Sequence, residues 1–372
     1  MAKRVFFDEI FVVTAPGLEP VCAAEVEAIT GKIGAVEKGG VSFSGGLEEL
    51  YRVNLWSRTA SRVLVRVGKV HARDFPELHR KIKRLPWGRF VKPEMPIAVR
   101  STSRRSRLNH TGRLSETINV AIDGALGRTP LNPGDSEQLV LARIEDDVCQ
   151  LSVDSSGELL HRRGYRSDIS KAPLRENLAA GILNLLDWKG QESLFDPMCG
   201  SGTFLIEAAL LCSGRAPGRT RRFAFQQWPR FRDGLWQNLL DEARRLESTC
   251  AIPLVGNDVD AGVVEAAVRN AERAACGDLV SFSTGPFDAV DASAERGLMI
   301  CNPPYGVRLG DETELISLYQ KFGQVCAERF KGWRVALFCP SDELIAATQL
   351  PFKSITELSN GGIRVRLFVC QL

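Results

Sequence analysis

The sequence lacks the features that mark membrane, secreted and zinc-binding proteins. No apolar run approaches the ~18 residues that a membrane-spanning helix needs, and no long apolar segment follows Met1. The ten cysteines are scattered, with none within four positions of another, so their spacing predicts neither a zinc site nor a disulfide scaffold. We therefore expect a cytoplasmic protein that keeps its thiols reduced, binds no metal and contacts no membrane.

Histidine is also scarce. The chain has 4 histidines in 372 residues, and none follows His161, so a histidine general base is excluded from the later part of the chain. No internal repeat or low-complexity segment is present. The apolar fraction of 44% is ordinary for a globular protein, and the length predicts two to three domains.

Positive charge is concentrated in one part of the chain. The net charge is only +3, but residues 58–113 contain sixteen Lys or Arg and three Asp or Glu. Within this segment, residues 100–107 (Arg-Ser-Thr-Ser-Arg-Arg-Ser-Arg) are predicted to be a loop. Such a loop is either a flexible solvated turn or a phosphate-binding surface, and we favour the second interpretation because its side chains are donors that phosphate accepts. The candidate RNA contacts are Arg100, Arg104, Arg105 and Arg107.

The first 153 residues alternate between strand and helix patterns. Apolar periodicity predicts a small α+β region followed by a second region that ends in a hairpin turning at residues 145–147. The predicted strands are 8–13, 36–43, 61–67, 96–101, 139–144 and 148–153. The predicted helices are 18–30, 47–54, 75–85 and 113–126.

Residues 196–203 (Asp-Pro-Met-Cys-Gly-Ser-Gly-Thr) carry the first chemical signal. They follow a short apolar strand and precede an apolar helix, which gives the order strand, glycine turn, helix. Gly200 and Gly202 would let a small molecule approach bare peptide groups at a helix N-terminus. Glycines alone leave two interpretations open: a nucleotide-like ligand or a purely structural turn.

Residues 302–305 (Asn-Pro-Pro-Tyr) carry the second signal. They directly follow a buried-strand pattern at residues 297–301, and two consecutive prolines force the chain to leave the sheet in an extended conformation. Ligands of open parallel sheets bind beyond the carboxyl ends of the strands, which is where both motifs would lie. The sequence therefore predicts one site formed by both.

The two motifs together resemble those of class I S-adenosylmethionine-dependent methyltransferases that modify an exocyclic amine. More narrowly, the chain resembles the bacterial RNA guanine-N2 methyltransferases with a THUMP domain, a family typified by the N-terminal half of the 23S rRNA enzyme RlmL. Residues 160–166 (Leu-His-Arg-Arg-Gly-Tyr-Arg), 172–180 and 223–228 extend the resemblance through most of the chain.

The resemblance implies an α/β fold with several domains. Residues 1–54 would form a ferredoxin-like subdomain, 55–160 a THUMP RNA-binding domain, 161–171 a linker and 172–372 the methyltransferase domain. The last domain would have a Rossmann-like, mostly parallel sheet with an antiparallel terminal strand.

The resemblance and the motifs also assign site residues. The cofactor S-adenosyl-L-methionine would contact Asp196, Pro197, Cys199, Gly200, Ser201, Gly202 and Thr203. A carboxylate after the next strand, Asp258, suits the ribose hydroxyls, whereas Asp260 is predicted to cap a helix. Arg175, on a helix predicted from Pro173, is either a contact for the cofactor carboxylate or an exposed helical arginine. Pro286 stands where relatives have an acidic residue that meets adenine, which leaves Asp288 as the candidate.

The catalytic assignment is Asn302, Pro303, Pro304 and Tyr305. The Asn302 side-chain oxygen and the Pro303 carbonyl would accept the amine hydrogens, and Tyr305 would stack on the base. The resemblance implies N2 methylation of a guanine in structured RNA, with rRNA preferred to tRNA. The alternatives are a DNA or protein amine methyltransferase and a non-catalytic RNA-binding protein.

Overall fold

The computed structural model describes residues 8–131, 134, 137–166, 174–292, 294–305 and 312–372. The chain divides into two compact units that do not follow chain order. The first consists of Met1–Thr14, Ala23–Leu160 and Thr220–Asp241, and the second of Ala15–Cys22, His161–Arg219 and Glu242–Leu372. No helix among the described residues is long and apolar enough to cross a membrane.

The described residues form fourteen strands and ten α-helices. The strands are β1 Asp8–Thr14, β2 Ala35–Glu37, β3 Gly40–Gly45, β4 Ala60–His71, β5 Ile97–Arg104, β6 Gln138–Glu145, β7 Val148–Asp154, β8 Ser193–Asp196, β9 Leu254–Asp258, β10 Ser281–Thr284, β11 Gly297–Cys301, β12 Arg334–Cys339, β13 Lys353–Asn360 and β14 Ile363–Gln371. The helices are α1 Glu19–Thr30, α2 Leu47–Trp56, α3 Phe75–Ile82, α4 Thr111–Leu126, α5 Glu176–Leu185, α6 Thr203–Cys212, α7 Asp233–Arg245, α8 Ala261–Arg273, α9 Glu312–Arg329 and α10 Asp342–Ala347. The strand pairs β2–β3, β6–β7 and β13–β14 are consecutive.

A seven-stranded sheet forms the first unit, in the order β2-β3-β1-β4-β7-β6-β5. The long strand β4 pairs with β1 on one side and with β7 on the other, so the predicted ferredoxin-like and THUMP regions share one sheet. Alternation decides which side chains are buried: in β1, Ile10 and Val12 are buried whereas Glu9 is exposed. The single strand predicted at residues 36–43 is wrong, because Gly39, with φ +83°, turns the chain between β2 and β3.

A segment from the later part of the chain completes the first unit. The sequence predicts a long irregular loop at residues 215–232, and the structure packs Thr220–Asp241 with the first unit. Phe225 stacks on Tyr51 with ring centroids 4.3 Å apart, and Trp228 Nε1 donates to Gln138 Oε1 at 2.7 Å. This segment is therefore a structural part of the first unit.

A second seven-stranded sheet forms the second unit, in the order β10-β9-β8-β11-β12-β14-β13. The first five strands are parallel, and β14 runs antiparallel to both β12 and β13. One apolar cluster contains residues of α5, α6 and α8, and another contains residues of α9 and α10, so helices cover both faces. This is the predicted Rossmann-like α/β sheet with an antiparallel terminal strand.

The structure also corrects local predictions in the second unit. Helix α5 begins at Glu176 with Arg175 as its N-cap, whereas Pro173 lies outside the described residues. Cys212 and Cys250 form a disulfide with Cα atoms 5.4 Å apart, so the expectation of reduced thiols is wrong for this pair. Helices α9 and α10 and strand β13 were not predicted. In α9 the signal was present, because buried residues of this helix follow a helical period. These residues are Leu315, Tyr319, Phe322 and Cys326.

Candidate active site

The glycine turn lies at the carboxyl end of β8. The Asp196 carboxyl is buried, accepts the Met198 N–H at 3.2 Å, and has its pKa raised by burial and by the nearby Asp258. Gly200 and Gly202 have φ of +52° and +80°. A Cβ at Gly202 would lie 3.0 Å from the Phe282 ring, whereas one at Gly200 would meet nothing within 4 Å. Gly202 therefore serves packing, and Gly200 leaves open space above the turn.

One backbone and one side-chain hydrogen bond also hold the turn in place. The Cys199 N–H donates to the Asn257 carbonyl at 2.9 Å, and Asn270 Nδ2 donates to the Ser201 carbonyl at 3.2 Å. The Cys199 thiol is 7% exposed, and burial raises its pKa, so its role is packing rather than reaction. Pro197 and Thr203 are also buried.

Asp258 ends β9, the strand beside β8. One carboxylate oxygen accepts the Gly200 N–H at 2.9 Å and the other accepts the Asp260 N–H at 3.1 Å. Each oxygen has a further lone pair, so the half-buried carboxylate can still accept from a ligand lying over the turn. Asp260 caps α8 by accepting from the N–H groups of Gly262 and Val263, as predicted.

The Asn302 turn lies at the carboxyl end of β11, which pairs with β8 in parallel with Met299 opposite Phe195. The Asn302 Oδ1 atom is buried and has no hydrogen-bond partner among the residues that the structure describes. Pro303 is buried too, and the Tyr319 hydroxyl lies 3.4 Å from the Pro304 carbonyl oxygen. Adjacent parallel strands thus bring the glycine turn and an unsatisfied acceptor to one edge of the sheet.

The remaining predicted cofactor residues have different surroundings. Arg175 is exposed at the N-terminus of α5. Asp288 lies in a short 3-10 helix just after Pro286, and one of its oxygens pairs with Lys321, which holds the pKa of the carboxyl low. Its other oxygen is buried and without a partner within the described ranges. Asp288 therefore offers an acceptor that Pro286 cannot.

The predicted RNA contacts lie on the first unit. Arg100 and Arg104 are exposed on β5, which is an edge strand, so the predicted loop at 100–107 is strand as far as Arg104. Arg107 is exposed, and its N–H donates to Asp147. Arg105, with φ +47°, instead pairs through its guanidinium with Asp146 at 2.9 Å.

Sequence analysis missed several residues that support the second unit's site. Arg166 Nη2 donates to Thr203 Oγ1 at 2.7 Å, and the Tyr165 hydroxyl donates to the buried Glu207 at 3.1 Å. Residues 161–166, predicted as the start of a linker, are packed within the second unit. The density of Arg and Tyr in this segment was the available signal.

Strand order and site together define a class I methyltransferase-type fold with its site at the carboxyl ends of β8, β9 and β11. Family models agree: the RMKL-like methyltransferase domain matches residues 163–367, the RlmL ferredoxin-like domain 9–64 and the THUMP domain 72–154. The chain belongs to the RMKL-like methyltransferase family.

Relatives match over nearly the whole chain. A Synechocystis protein named as a candidate RNA methyltransferase, slr0064, is 37% identical over 97% of this chain and 96% of its own length. The ribosomal RNA large subunit methyltransferase K/L of Methylococcus capsulatus is 36% identical over 96% of this chain. The chain spans only 50% of the length of that relative.

Two solved structures with the same fold also match nearly the whole chain. SMU.472, a candidate methyltransferase solved with SAH, has a TM-score of 0.91 and 30% identity, and the match covers 98% of each chain. A Listeria monocytogenes protein described as a candidate N6-adenine-specific DNA methylase has a TM-score of 0.89 and 31% identity, and the match covers 97% of this chain and 96% of that protein's chain.

Proposed function

We propose that the protein transfers a methyl group from S-adenosyl-L-methionine to the exocyclic N2 amine of a guanine in RNA, with 23S rRNA as the preferred substrate. The proposal rests on Asn302 Oδ1, which is buried and has no hydrogen-bond partner in the described part of the chain. A buried acceptor without a donor costs free energy, so its retention beside a glycine turn is explained by a donor that arrives with the substrate.

The cofactor would lie over the glycine turn. Gly200 leaves open space there, and Asp258, which accepts the Gly200 N–H, would accept the ribose hydroxyls. The Asp288 oxygen that lacks a partner among the described residues would accept an adenine amine hydrogen. When bound, the cofactor supplies an electrophilic methyl group on a sulfonium. Arg175 is a candidate for the carboxylate because its guanidinium is exposed at the N-terminus of α5 and can pair with an anion.

The residues of the Asn302 turn would activate the amine by position. The lone pair of a base amine is delocalised into its ring, and two fixed acceptors that bind both amine hydrogens favour a more pyramidal nitrogen. Asn302 Oδ1 and the Pro303 carbonyl are those acceptors, and the two prolines hold them stiffly. Tyr305 would stack on a base that has been turned out of the RNA.

The assignment of guanine rests on the family resemblance. The acceptors alone cannot select it, because adenine N6 and cytosine N4 present similar amines. The Listeria structure favours a second candidate, an adenine N6 methyltransferase acting on DNA. The THUMP domain, the named K/L relative and the exposed arginines of β5 support RNA instead. A tRNA substrate is the runner-up within RNA.

The test is to incubate the purified protein with methyl-labelled cofactor and unmodified rRNA, then digest the RNA to nucleosides. We expect label in N2-methylguanosine. Label in N6-methyladenosine or N4-methylcytidine would overturn the base assignment. Parallel reactions with unmodified tRNA and DNA serve as controls, and label that enters only one of them would replace rRNA as the substrate.

A further inference from the structure

Asn360 contacts Tyr305 from a distant part of the chain. Asn360 ends β13, and its Nδ2 atom donates to the Tyr305 hydroxyl at 3.2 Å across 55 residues of sequence. Both residues belong to the second unit. Gly361 and Gly362, with φ of +60° and +90°, form the tight turn between β13 and β14 that brings Asn360 to this end of the sheet.

The Tyr305 ring is thereby fixed at both ends. On the backbone side, Pro303 and Pro304 allow little rotation. On the hydroxyl side the Asn360 amide holds the phenol, and the ring packs against both apolar clusters of the unit while remaining half-buried. The plane of a ring held in this way has a fixed orientation, and a ring that stacks on an extruded base needs such an orientation.

We infer that Asn360 is a positioning residue that sets the orientation of the Tyr305 ring for base stacking. This inference rests on the proposed function and adds a specific part of the substrate site to it. Asn360 acts through Tyr305 and does not itself contact the reacting amine. No motif in the sequence marks this role, because the two residues meet only through the β13–β14 hairpin.

The positioning can be measured without activity. The chain contains four tyrosines, so full-length protein labelled with ¹³C at the tyrosine Cζ gives few NMR signals, and Tyr305→Phe identifies the Tyr305 signal. We expect Asn360→Ala to move that signal and leave the other three in place. The matched control is Ser359→Ala, because neighbouring strand residues point to opposite faces. An unmoved Tyr305 signal in Asn360→Ala would overturn the inference.

The consequence for turnover is measured on the same proteins with labelled cofactor and unmodified rRNA. Losing one hydrogen bond should lower kcat about fivefold, with KM for RNA changed less than about twofold. In the Tyr305→Phe background, Asn360→Ala should have no further effect; a full additional loss there would show that Asn360 acts elsewhere and overturn the inference. A wild-type protein that transferred no label would refute the proposed function, while the NMR spectra would still decide whether Asn360 holds the ring.

Discussion

The carboxyl ends of the strands in the second unit and the edge strand β5 of the first unit differ in how far their polar side chains are exposed and paired. At the former, Asn302 Oδ1 and one oxygen of Asp288 are buried and lack partners among the described residues. At the latter, Arg100 and Arg104 are exposed to solvent, and Arg105 already pairs with Asp146.

Under the proposed function, this difference separates the candidate site for methyl transfer from the candidate surface for RNA binding. A buried acceptor without a donor is costly, and it interacts strongly when a donor arrives in a region of low dielectric constant. An exposed guanidinium costs little and contributes a modest, salt-screened attraction. The two edges should therefore respond to mutation on different scales and to different solution conditions.

The largest effect is expected for Asn302→Ala. Removing one preorganised acceptor should cost ~3 kcal/mol in the transition state, or about 100-fold in kcat on rRNA. Because Oδ1 has no partner among the described residues, the melting temperature should not fall. Steady-state kinetics and thermal unfolding check both parts. Normal turnover, or a loss that follows from unfolding, would remove Asn302 from the chemistry.

Asp258→Asn should weaken cofactor binding roughly tenfold. The charged carboxylate holds the Gly200 N–H and would accept the ribose hydroxyls, and hydrogen bonds to charged groups contribute about 1.5–3 kcal/mol. Calorimetric titration with S-adenosyl-L-methionine measures the change. Asp260→Asn is the matched control, since asparagine caps a helix as well as aspartate does. Equal losses in both variants would contradict the ribose assignment.

His161 extends the comparison to pH. Burial and the nearby Arg175 lower the pKa of His161 to about 4, below the ordinary 6.5. Between these values the unfolded state binds more protons, so stability is lost as pH falls. After discounting for partial exposure, we expect this group to cost about 1 kcal/mol between pH 7 and 5. Denaturant unfolding at both pH values should show a smaller loss for His161→Gln, and an equal loss would contradict this role.

The smallest effects are expected for the arginines on and just after β5. Replacing Arg100, Arg104 or Arg107 by Gln should reduce the salt dependence of RNA binding. The slope of log affinity against log salt concentration should become shallower by up to ~0.7 per lost contact. Arg105→Gln should change the slope less, because Asp146 already occupies its guanidinium. Binding titrations at several salt concentrations measure these slopes. A slope that is unchanged in all four variants would make this edge a solvated surface only.

Local signals were sufficient to predict most of the elements and the location of the candidate site residues at the carboxyl ends of β8, β9 and β11, while the roles of these residues stay predictions. The glycine turn, Asp258, the Asp260 cap and the 302–305 turn each depend on residues close in sequence, and their strands were found from apolar periodicity. The hairpin between β6 and β7 was also predicted from its two strand patterns, and the structure confirms it, with positive φ at Asp146 and Asp147 in the turn.

What the sequence did not reveal depends on long-range contacts. Asn360 meets Tyr305 only after β13 pairs with β14, and the Cys212–Cys250 disulfide joins residues 38 positions apart. Segment Thr220–Asp241 packs with the first unit although it lies far along the chain. Periodicity and motif spacing carry no information on such pairings.

The most direct test of the account is single-turnover methylation of unmodified rRNA at increasing cofactor concentration, with wild type, Asp258→Asn and Asn302→Ala. We predict that Asp258→Asn raises the half-saturating cofactor concentration and keeps the wild-type maximal rate. Asn302→Ala should lower the maximal rate and keep the wild-type half-saturation. If both variants changed the same quantity, the assignment of Asp258 to cofactor binding and of Asn302 to the reacting amine would be contradicted.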